Sequence, residues 1–291
     1  MARAFRFFLS LGVLVAIVGW VLSAPQRLPS STFDRLTGDA TRGAVIFAAG
    51  GCRGCHVGKG DTSEGSPVLT GGYRIESPFG TFISPNISPS EAGIGGWSVA
   101  DLGNALMAGV SPEGAHYYPA LPYTSYVRME PQDVADLKAY IDTLPPSDVA
   151  SQPHEVAFPF NIRRGLGLWK RLNMSDDWIT TADTPEQQRG RYLVEAVAHC
   201  GECHTPRKTL GALDTSQWMM GAPNPSGKGS IPAIHPSKLD WAAEDIAYYL
   251  ETGFTPDFDS AGGSMAQVVR GTAQLTAEDR AAIAGYLKAL N

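Results

Sequence analysis

The pattern of apolar and polar positions divides the chain into an N-terminal apolar run and two similar halves. Residues 7–22 form an uncharged, apolar stretch that follows Arg3 and Arg6. Further on, apolar residues recur at helical spacing in three pairs of matching segments, and this spacing predicts short amphipathic helices. The chain is therefore expected to form one N-terminal helix followed by a mostly helical protein with an internal repeat.

The repeat is visible as three pairs of aligned segments. The second and third pairs align without a gap, and the first needs one inserted residue: RGAVIFAAGGCRGCH (42–56) with RGRYLVEAVAHCGECH (189–204), GWSVADLGNALMAGVSPEG (96–114) with DWAAEDIAYYLETGFTPDF (240–258), and EPQDVADLKAYIDTL (130–144) with TAEDRAAIAGYLKAL (276–290). Three helices in each repeat predict two homologous domains, residues 38–145 and residues 188–291.

The apolar run at the N-terminus is long for the core of a signal peptide and slightly short for a full bilayer span. Basic residues ahead of such a run stay in the cytoplasm and direct the following chain across the membrane. Residues 1–24 are therefore predicted to be a membrane anchor, with a cleaved signal as the alternative, and residues 25–37 a linker. Either alternative exports the rest of the chain.

Composition narrows the classes of function. The chain has 291 residues, 43% of them hydrophobic, which is enough to build ordinary cores. Its 32 glycines and 21 prolines predict long irregular loops around relatively few helices. The net charge of −6 argues against a nucleic-acid partner, because binding to phosphates requires a concentrated basic surface.

The segment between the repeats, residues 146–187, resembles neither of them. It begins Pro-rich and then contains FPFNIRRGLGLWKRL (158–172), which mixes aromatic and basic residues. One interpretation is a linker that crosses a domain surface. The other is a basic, aromatic segment that rests on membrane headgroups. The sequence does not decide between the two.

All four cysteines lie in two five-residue motifs, CRGCH (52–56) and CGECH (200–204). Disulfides are common in exported proteins, but a bridge across two intervening residues removes little chain entropy. A thioredoxin-like redox pair would need a neighbouring βαβ pattern, and it would not need the histidine. A zinc site built from both Cys pairs would tie the two repeats together instead of leaving each self-contained.

The motif C-x-x-C-H is typical of covalent haem attachment. The two thiols bind the vinyl groups of a haem, and the adjacent histidine supplies one axial nitrogen to the iron. Two such motifs inside a matched repeat predict two covalently attached haem c groups. The attachment would use all four cysteines of the chain. The predicted attachment residues are Cys52, Cys55, Cys200 and Cys203, and the predicted axial histidines are His56 and His204.

With these motifs the chain resembles class I dihaem cytochromes c, in particular the cytochrome subunits of bacterial membrane-associated dehydrogenases of the alcohol and aldehyde type. The resemblance covers roughly residues 38–291 and includes FGTFISPNISPSEAGIGGWS (79–98) and HYYPALPYTSYVRM (116–129). It implies an all-α fold of two tandem class I cytochrome c domains after one N-terminal transmembrane helix. It also implies electron transfer at the periplasmic face of the inner membrane.

A low-spin haem in such a domain needs a second axial ligand, which is usually a Met thioether. In the second repeat Met265 lies ahead of the last helix, 61 residues after His204, as the family pattern requires. The alternative role for Met265 is that of a core residue, because Met often fills gaps in cores.

The first repeat does not offer a methionine at the equivalent position. Met265 aligns there with Leu121, which cannot ligate iron, and the nearest methionine is Met129. In members of the group with Phe at the position of Leu121, a Met tends to stand at the position of Met129, which implies a shifted ligand loop. His116, an open iron, or a purely packing role of Met129 against the next helix remain alternatives.

The predicted function is a membrane-anchored relay that passes electrons one at a time from a dehydrogenase or quinol-linked donor to a downstream cytochrome or oxidase. The predicted location is the periplasmic side of the bacterial inner membrane. The sequence contains no recognisable nucleophile, base or substrate pocket, so no catalysis by the chain itself is expected. Two alternatives are an obligate cytochrome subunit of a periplasmic dehydrogenase complex and a dihaem peroxidase-type enzyme, which requires an open haem.

Overall fold

The computed structural model describes residues 1–58, 66–225, 227 and 229–291, and this part of the chain is mostly helical. The α-helices are, in chain order, α1 (Ala2–Leu22), α2 (Ala40–Ala49), α3 (Cys52–His56), α4 (Val99–Ala108), α5 (Tyr123–Tyr126), α6 (Pro131–Ile141), α7 (Gly165–Asn173), α8 (Pro185–Arg191), α9 (Gly201–His204), α10 (Ala243–Thr252), α11 (Gly263–Thr272) and α12 (Ala277–Lys288). A π-helical segment, Tyr192–Val197, connects α8 to the second Cys motif.

Short strands add a feature that the helical pattern did not predict. β1 (Arg74–Ser77), β2 (Gly80–Ile83) and β3 (Glu155–Val156) form an antiparallel sheet in that order. In its register Ile75 pairs with Phe82, and Thr81 pairs with Glu155. A second pair consists of β4 (Ala222–Pro223) and β5 (Ser230–Ile231). Because β3 belongs to the segment between the repeats, the small sheet fixes that segment to the first repeat.

The predicted helices begin and end at residues that satisfy their free backbone groups. At the start of α4, Ser98 and Asp101 form a reciprocal capping box. Both α4 and α10 end at a glycine in the left-handed conformation, with φ of 59° at Gly109 and 78° at Gly253. A residue with a Cβ is strained there, which is why a glycine ends the helix in both repeats.

In each repeat the first helix crosses the last one at a glycine. A Cβ placed on Gly43 of α2 would overlap the backbone oxygen of Asp136 in α6. A Cβ placed on Gly190 of α8 would overlap the backbone oxygen of Ala282 in α12. The two glycines occupy aligned positions in the repeat, so the same close helix crossing positions the Cys motif in both halves.

Replacing Gly43 by alanine is expected to destabilise the first repeat by about 1–3 kcal/mol, because the added methyl group must push α2 and α6 apart. Chemical denaturation of the haem-loaded protein measures this change. Gly96→Ala is the matched control, since a Cβ at Gly96 meets no atom within 4 Å. Equal unfolding midpoints for the two variants would contradict the close crossing.

The two repeats contact each other through corresponding elements. α5 of the first repeat contacts the π-helical segment that precedes the second Cys motif, and α11 of the second repeat contacts α2 and α3 of the first. The ring of His199 bonds the backbone oxygen of Gly50 at 3.2 Å, and Thr124 donates to Glu202 at 2.8 Å. The two Cys motifs therefore meet at the interface between the repeats.

The segment that contains α7 joins α1 to both repeats. Arg171 donates to the backbone oxygen of Leu22 at 2.5 Å, at the end of α1. Lys170 donates to the last carbonyls of α4, and Trp169 donates to the backbone oxygen of Leu210 in the second repeat. The segment thus contacts the end of α1 and both repeats.

Candidate haem sites

The first Cys motif begins at a sharp turn between two helices. Gly51, with φ of 61°, turns the chain from α2 into α3, and α3 contains Cys52, Cys55 and His56. One helical turn places both thiols on the same side of α3. All four cysteines of the chain lie among the described residues, and no disulfide joins any two of them.

Both motif histidines are held in the same orientation by a proline carbonyl. Nδ1 of His56 lies 2.9 Å from the backbone oxygen of Pro85, and Nδ1 of His204 lies 2.8 Å from that of Pro232. This bond places the proton on Nδ1 and leaves Nε2 of each ring free to bind a metal. Burial lowers the pKa of both histidines, so the neutral imidazole that iron ligation requires is favoured.

These proline carbonyls are functional groups that the sequence analysis missed, although a signal was present. The acceptor prolines follow their histidines by 29 and 28 residues, and each stands two residues before an isoleucine. An alignment of SPNI (84–87) with IPAI (231–234) would have found them.

The environment of the thiols suits thioethers better than a metal–thiolate site. Burial raises the pKa of Cys52 and of Cys200 to about 12, so free thiols there stay protonated. Among the described residues no group of three or more Cys, His, Asp or Glu side chains is placed to hold a metal ion. The zinc alternative therefore has no support, whereas a neutral thioether carries no charge to desolvate.

The candidate methionines occupy different places in the two repeats. Met265 lies in the first turn of α11 and packs, partly buried, against the core. Met129 is only 4% exposed and lies two residues before α6. Its counterpart before α12 is Leu275, which is also 4% exposed. The order of leucine and methionine is therefore reversed between the repeats: Leu121 and Met129 in the first correspond to Met265 and Leu275 in the second.

The chain around Met129 lies close to the first Cys motif. The N–H of Met129 donates to the backbone oxygen of Tyr126 at 2.9 Å. Burial raises the pKa of Tyr126 well above its usual value, and the nearby thiols of Cys52 and Cys55 raise it further. The ring of Tyr126 lies 5.5 Å from that of His199, and Nε2 of His199 bonds the backbone oxygen of Gly50, two residues before the first Cys motif. Met129, bonded to Tyr126, therefore lies in the same region.

His116, the alternative ligand in the first repeat, is engaged elsewhere. Its Nε2 bonds the backbone oxygen of Ser23 at 2.9 Å, and its side chain is buried. This contact fixes the chain after α1 to the end of α4. The geometry therefore gives no support to His116 as an axial ligand.

The fold and the two sites define a class of protein: two tandem helical units, each with a Cys-pair-His motif arranged to hold a haem. The chain belongs to the cytochrome c family, whose model, described as "Cytochrome c", matches residues 40–145 and 187–291. Membership with two motifs implies a dihaem cytochrome c with two haem c groups and a role in electron transfer.

Comparison with known proteins finds similarity to a dihaem cytochrome and to cytochrome subunits of dehydrogenases. It is 57% identical over 290 residues to "Diheme cytochrome c-type" of Cereibacter sphaeroides, covering 99% of this chain and 98% of that protein. It is 38% identical over 258 residues to the fructose dehydrogenase cytochrome subunit of Gluconobacter japonicus, covering 86% of this chain and 52% of that protein. It is 31% identical over 295 residues to the cytochrome c subunit of the quinone alcohol dehydrogenase of Gluconobacter oxydans, covering 94% of this chain and 60% of that protein.

Proposed function

We propose that this protein is a membrane-anchored dihaem cytochrome c that relays single electrons from a dehydrogenase or quinol-linked donor to a downstream cytochrome or oxidase. Its place is the periplasmic side of the bacterial inner membrane. The observation that supports this most directly is the repeated histidine geometry, in which Nδ1 of His56 and of His204 is bound by a proline carbonyl and Nε2 is left free.

Each repeat supplies one complete set of haem-binding residues. In each set two thiols would attach the haem covalently, and one histidine and one methionine would ligate its iron. The first set is Cys52, Cys55, His56 and Met129, and the second is Cys200, Cys203, His204 and Met265. The corresponding domains span residues 38–145 and 188–291, with linkers at 25–37 and 146–187.

The bound haems supply the one-electron chemistry, and the chain's residues position them. The proline carbonyls fix the imidazoles, and the thioethers fix the edge of each ring. The two motifs lie close together, because the ring of His199 bonds the backbone oxygen of Gly50 and Thr124 donates to Glu202. Such closeness supports a short path between the haems within one chain.

Anchoring by α1 is supported by the helix itself and by its contacts. Among the described residues, α1 alone is long and apolar enough to cross a membrane, and its window contains no buried residue. Arg164 donates to the backbone oxygen of Trp20 at 2.6 Å and lies over the Trp20 ring at 4.1 Å. The segment between the repeats also carries exposed apolar side chains, including Phe158 and Leu172. A basic segment with exposed apolar groups at the end of a membrane span fits the headgroup region.

Fractionation tests the haem content and the anchor together. The full chain should appear in membranes with two haems by haem stain and absorption, whereas a chain in which a cleavable signal replaces residues 1–24 should be soluble with the same two haems. A soluble product from the full chain, shortened by the N-terminal segment, would replace the anchor with a cleaved signal. One haem or none in both forms would overturn the dihaem function.

A second candidate is an obligate cytochrome subunit of a periplasmic dehydrogenase complex, and the similarity to cytochrome subunits of dehydrogenases favours it. Co-purification of a flavin, quinone or molybdenum subunit with the membrane-bound protein distinguishes this candidate from an independent relay. A peroxidase-type enzyme would need the first haem to be open, and Leu121 at the position equivalent to Met265 is the observation that keeps this candidate testable.

A further inference from the structure

The turn that follows α4 and the turn that follows α10 have the same structure. Val110 pairs with His116 in one and Phe254 pairs with Ser260 in the other, as isolated bridges. The N–H of Ser111 donates to the oxygen four residues on at 2.8 Å, and the N–H of Thr255 does the same at 2.9 Å. The surfaces around the two turns can therefore be compared position by position.

In the first repeat this surface is covered by the chain that follows α1. The N–H of Leu28 donates to the side chain of Asn104 at 2.8 Å. Arg27 donates to the backbone oxygen of Ser111 at 2.8 Å and also to that of Pro112. An extended segment, with an arginine bonded to the carbonyls of the turn, thus buries Asn104 and Ser111.

In the second repeat the equivalent surface is exposed and carries aromatic side chains. Tyr248, Phe254 and Phe258 are 54%, 48% and 90% exposed, and they replace Asn104, Val110 and Gly114. We call Tyr248, Phe254 and Phe258 the aromatic face. Three large rings in contact with water on one small surface mark a site of interaction rather than ordinary surface composition.

The backbone at Phe258 strengthens this argument. Its φ is 62°, in the left-handed region, where the first repeat has Gly114 with φ of 83°. A non-glycine residue there costs on the order of 1–2 kcal/mol. Neither folding nor solubility explains a strained and exposed phenyl ring where glycine fits without strain. Strain of this kind is characteristic of functional positions.

The charges around the aromatic face indicate what binds it. Asp257 and Asp259 are exposed beside Phe258, and Asp245 lies on α10 one turn before Tyr248. An acidic rim attracts a basic partner and disfavours anionic lipid headgroups. On the equivalent surface of the first repeat, the covering segment places Arg27 against the backbone oxygens of Ser111 and Pro112. In a second copy of this chain, the segment that contains Arg27 and Leu28 already covers that copy's own first repeat. It is therefore not available to bind the aromatic face.

We propose that the aromatic face docks an extended segment of the redox partner protein, with an apolar side chain against Phe254 and Phe258 and an arginine or lysine near the carbonyls of Thr255 and Pro256. This proposal rests on the proposed function, since it requires that the cytochrome exchanges electrons with a partner protein. It assigns the second repeat as the side of the molecule on which the partner docks.

Photo-cross-linking in native membranes tests the docking site. A photoreactive benzoyl-phenylalanine in place of Phe258 of the full chain should cross-link to a polypeptide that holds a flavin, quinone or molybdenum cofactor, through an extended peptide containing Arg or Lys. The same group in place of Val149, which is 52% exposed away from this face, is the control. Cross-links to lipid, to a second copy of the chain, or at the control level would overturn the proposal.

Kinetics with the partner identified in that way provide an independent test. Phe258→Gly introduces the residue of the first repeat and relieves the strain, so the haem spectrum should not change. The KM for the partner should rise ten-fold or more, as for loss of an interface hot spot, and Phe258→Tyr should retain most of the affinity. If the partner reduces the wild type and Phe258→Gly with the same KM, the docking site is wrong while the proposed function stands. If no donor reduces the wild type, the proposed function itself fails.

Discussion

Replacing Met129 by leucine is expected to abolish the near-infrared Met-to-iron band of one haem and to lower the reduction potential of that haem by on the order of 0.1 V or more. Thioether sulfur is a soft ligand that favours Fe(II), so its loss stabilises the oxidised iron. Leucine has nearly the same volume, and Leu275 already occupies the equivalent buried position before α12, so the fold should tolerate the change. Absorption spectra and a redox titration of the purified protein measure both effects.

Two further variants separate ligation from packing. Met107→Leu replaces a buried methionine of α4 and should leave both haem spectra unchanged. Met265→Leu should remove the band of the other haem. If Met129→Leu has no more effect than Met107→Leu, the shifted-ligand hypothesis fails, and His116 or an open first haem at the position of Leu121 are the remaining alternatives. Peroxide turnover would then become the next measurement.

The internal repeat predicted most of the helical architecture, because local patterns determine where helices begin and end. The apolar spacing predicted α4 and α10, and the two glycines that end them have left-handed φ in both repeats. The single inserted residue of the second repeat also has a structural counterpart: the π-helical segment Tyr192–Val197 lies in the stretch that contains the insertion. A π-helical turn accommodates one extra residue without ending the helix.

That segment also buries an acidic side chain that the alignment did not predict. Glu195 lies in the π-helical turn, is almost fully buried, and accepts hydrogen bonds from the backbone of Ile179 and from Tyr286 at 2.7 Å. These contacts join the segment between the repeats to α12. They connect residues far apart in sequence, and no local periodicity encodes such pairs.

The features that the sequence left undetermined are all long-range contacts. The acceptor carbonyls of Pro85 and Pro232 lie nearly thirty residues from their histidines. The contact of His116 with Ser23 spans 93 positions, and it engages one ring nitrogen of a residue whose type alone had made it a candidate ligand. Residue types and spacing predict the chemistry of a motif, whereas the choice between chemically equivalent candidates depends on which distant segment lies beside it.

Removing the two thiols of one motif is expected to have a larger effect than any ligand substitution. Cys200→Ala with Cys203→Ala should yield an exported protein that carries one haem instead of two, because no other cysteine can attach the second ring. The buried pocket would lose its cofactor, and small haem domains depend on the haem for much of their apolar core. The second repeat should therefore be degraded or unfold at lower denaturant than the first.

The matched variant, Cys52→Ala with Cys55→Ala, distinguishes independent repeats from coupled ones. The two motifs meet through the contact of His199 with Gly50 and the bond of Thr124 to Glu202. Loss of either haem should consequently shift the reduction potential of the remaining haem and weaken the other repeat as well. Intact mass spectrometry and a pyridine haemochrome assay count the attached haems in each variant. Free thiols or cystines at these four positions in the exported wild type would show that no haem is attached there, and the electron-transfer proposal would lose its chemical basis.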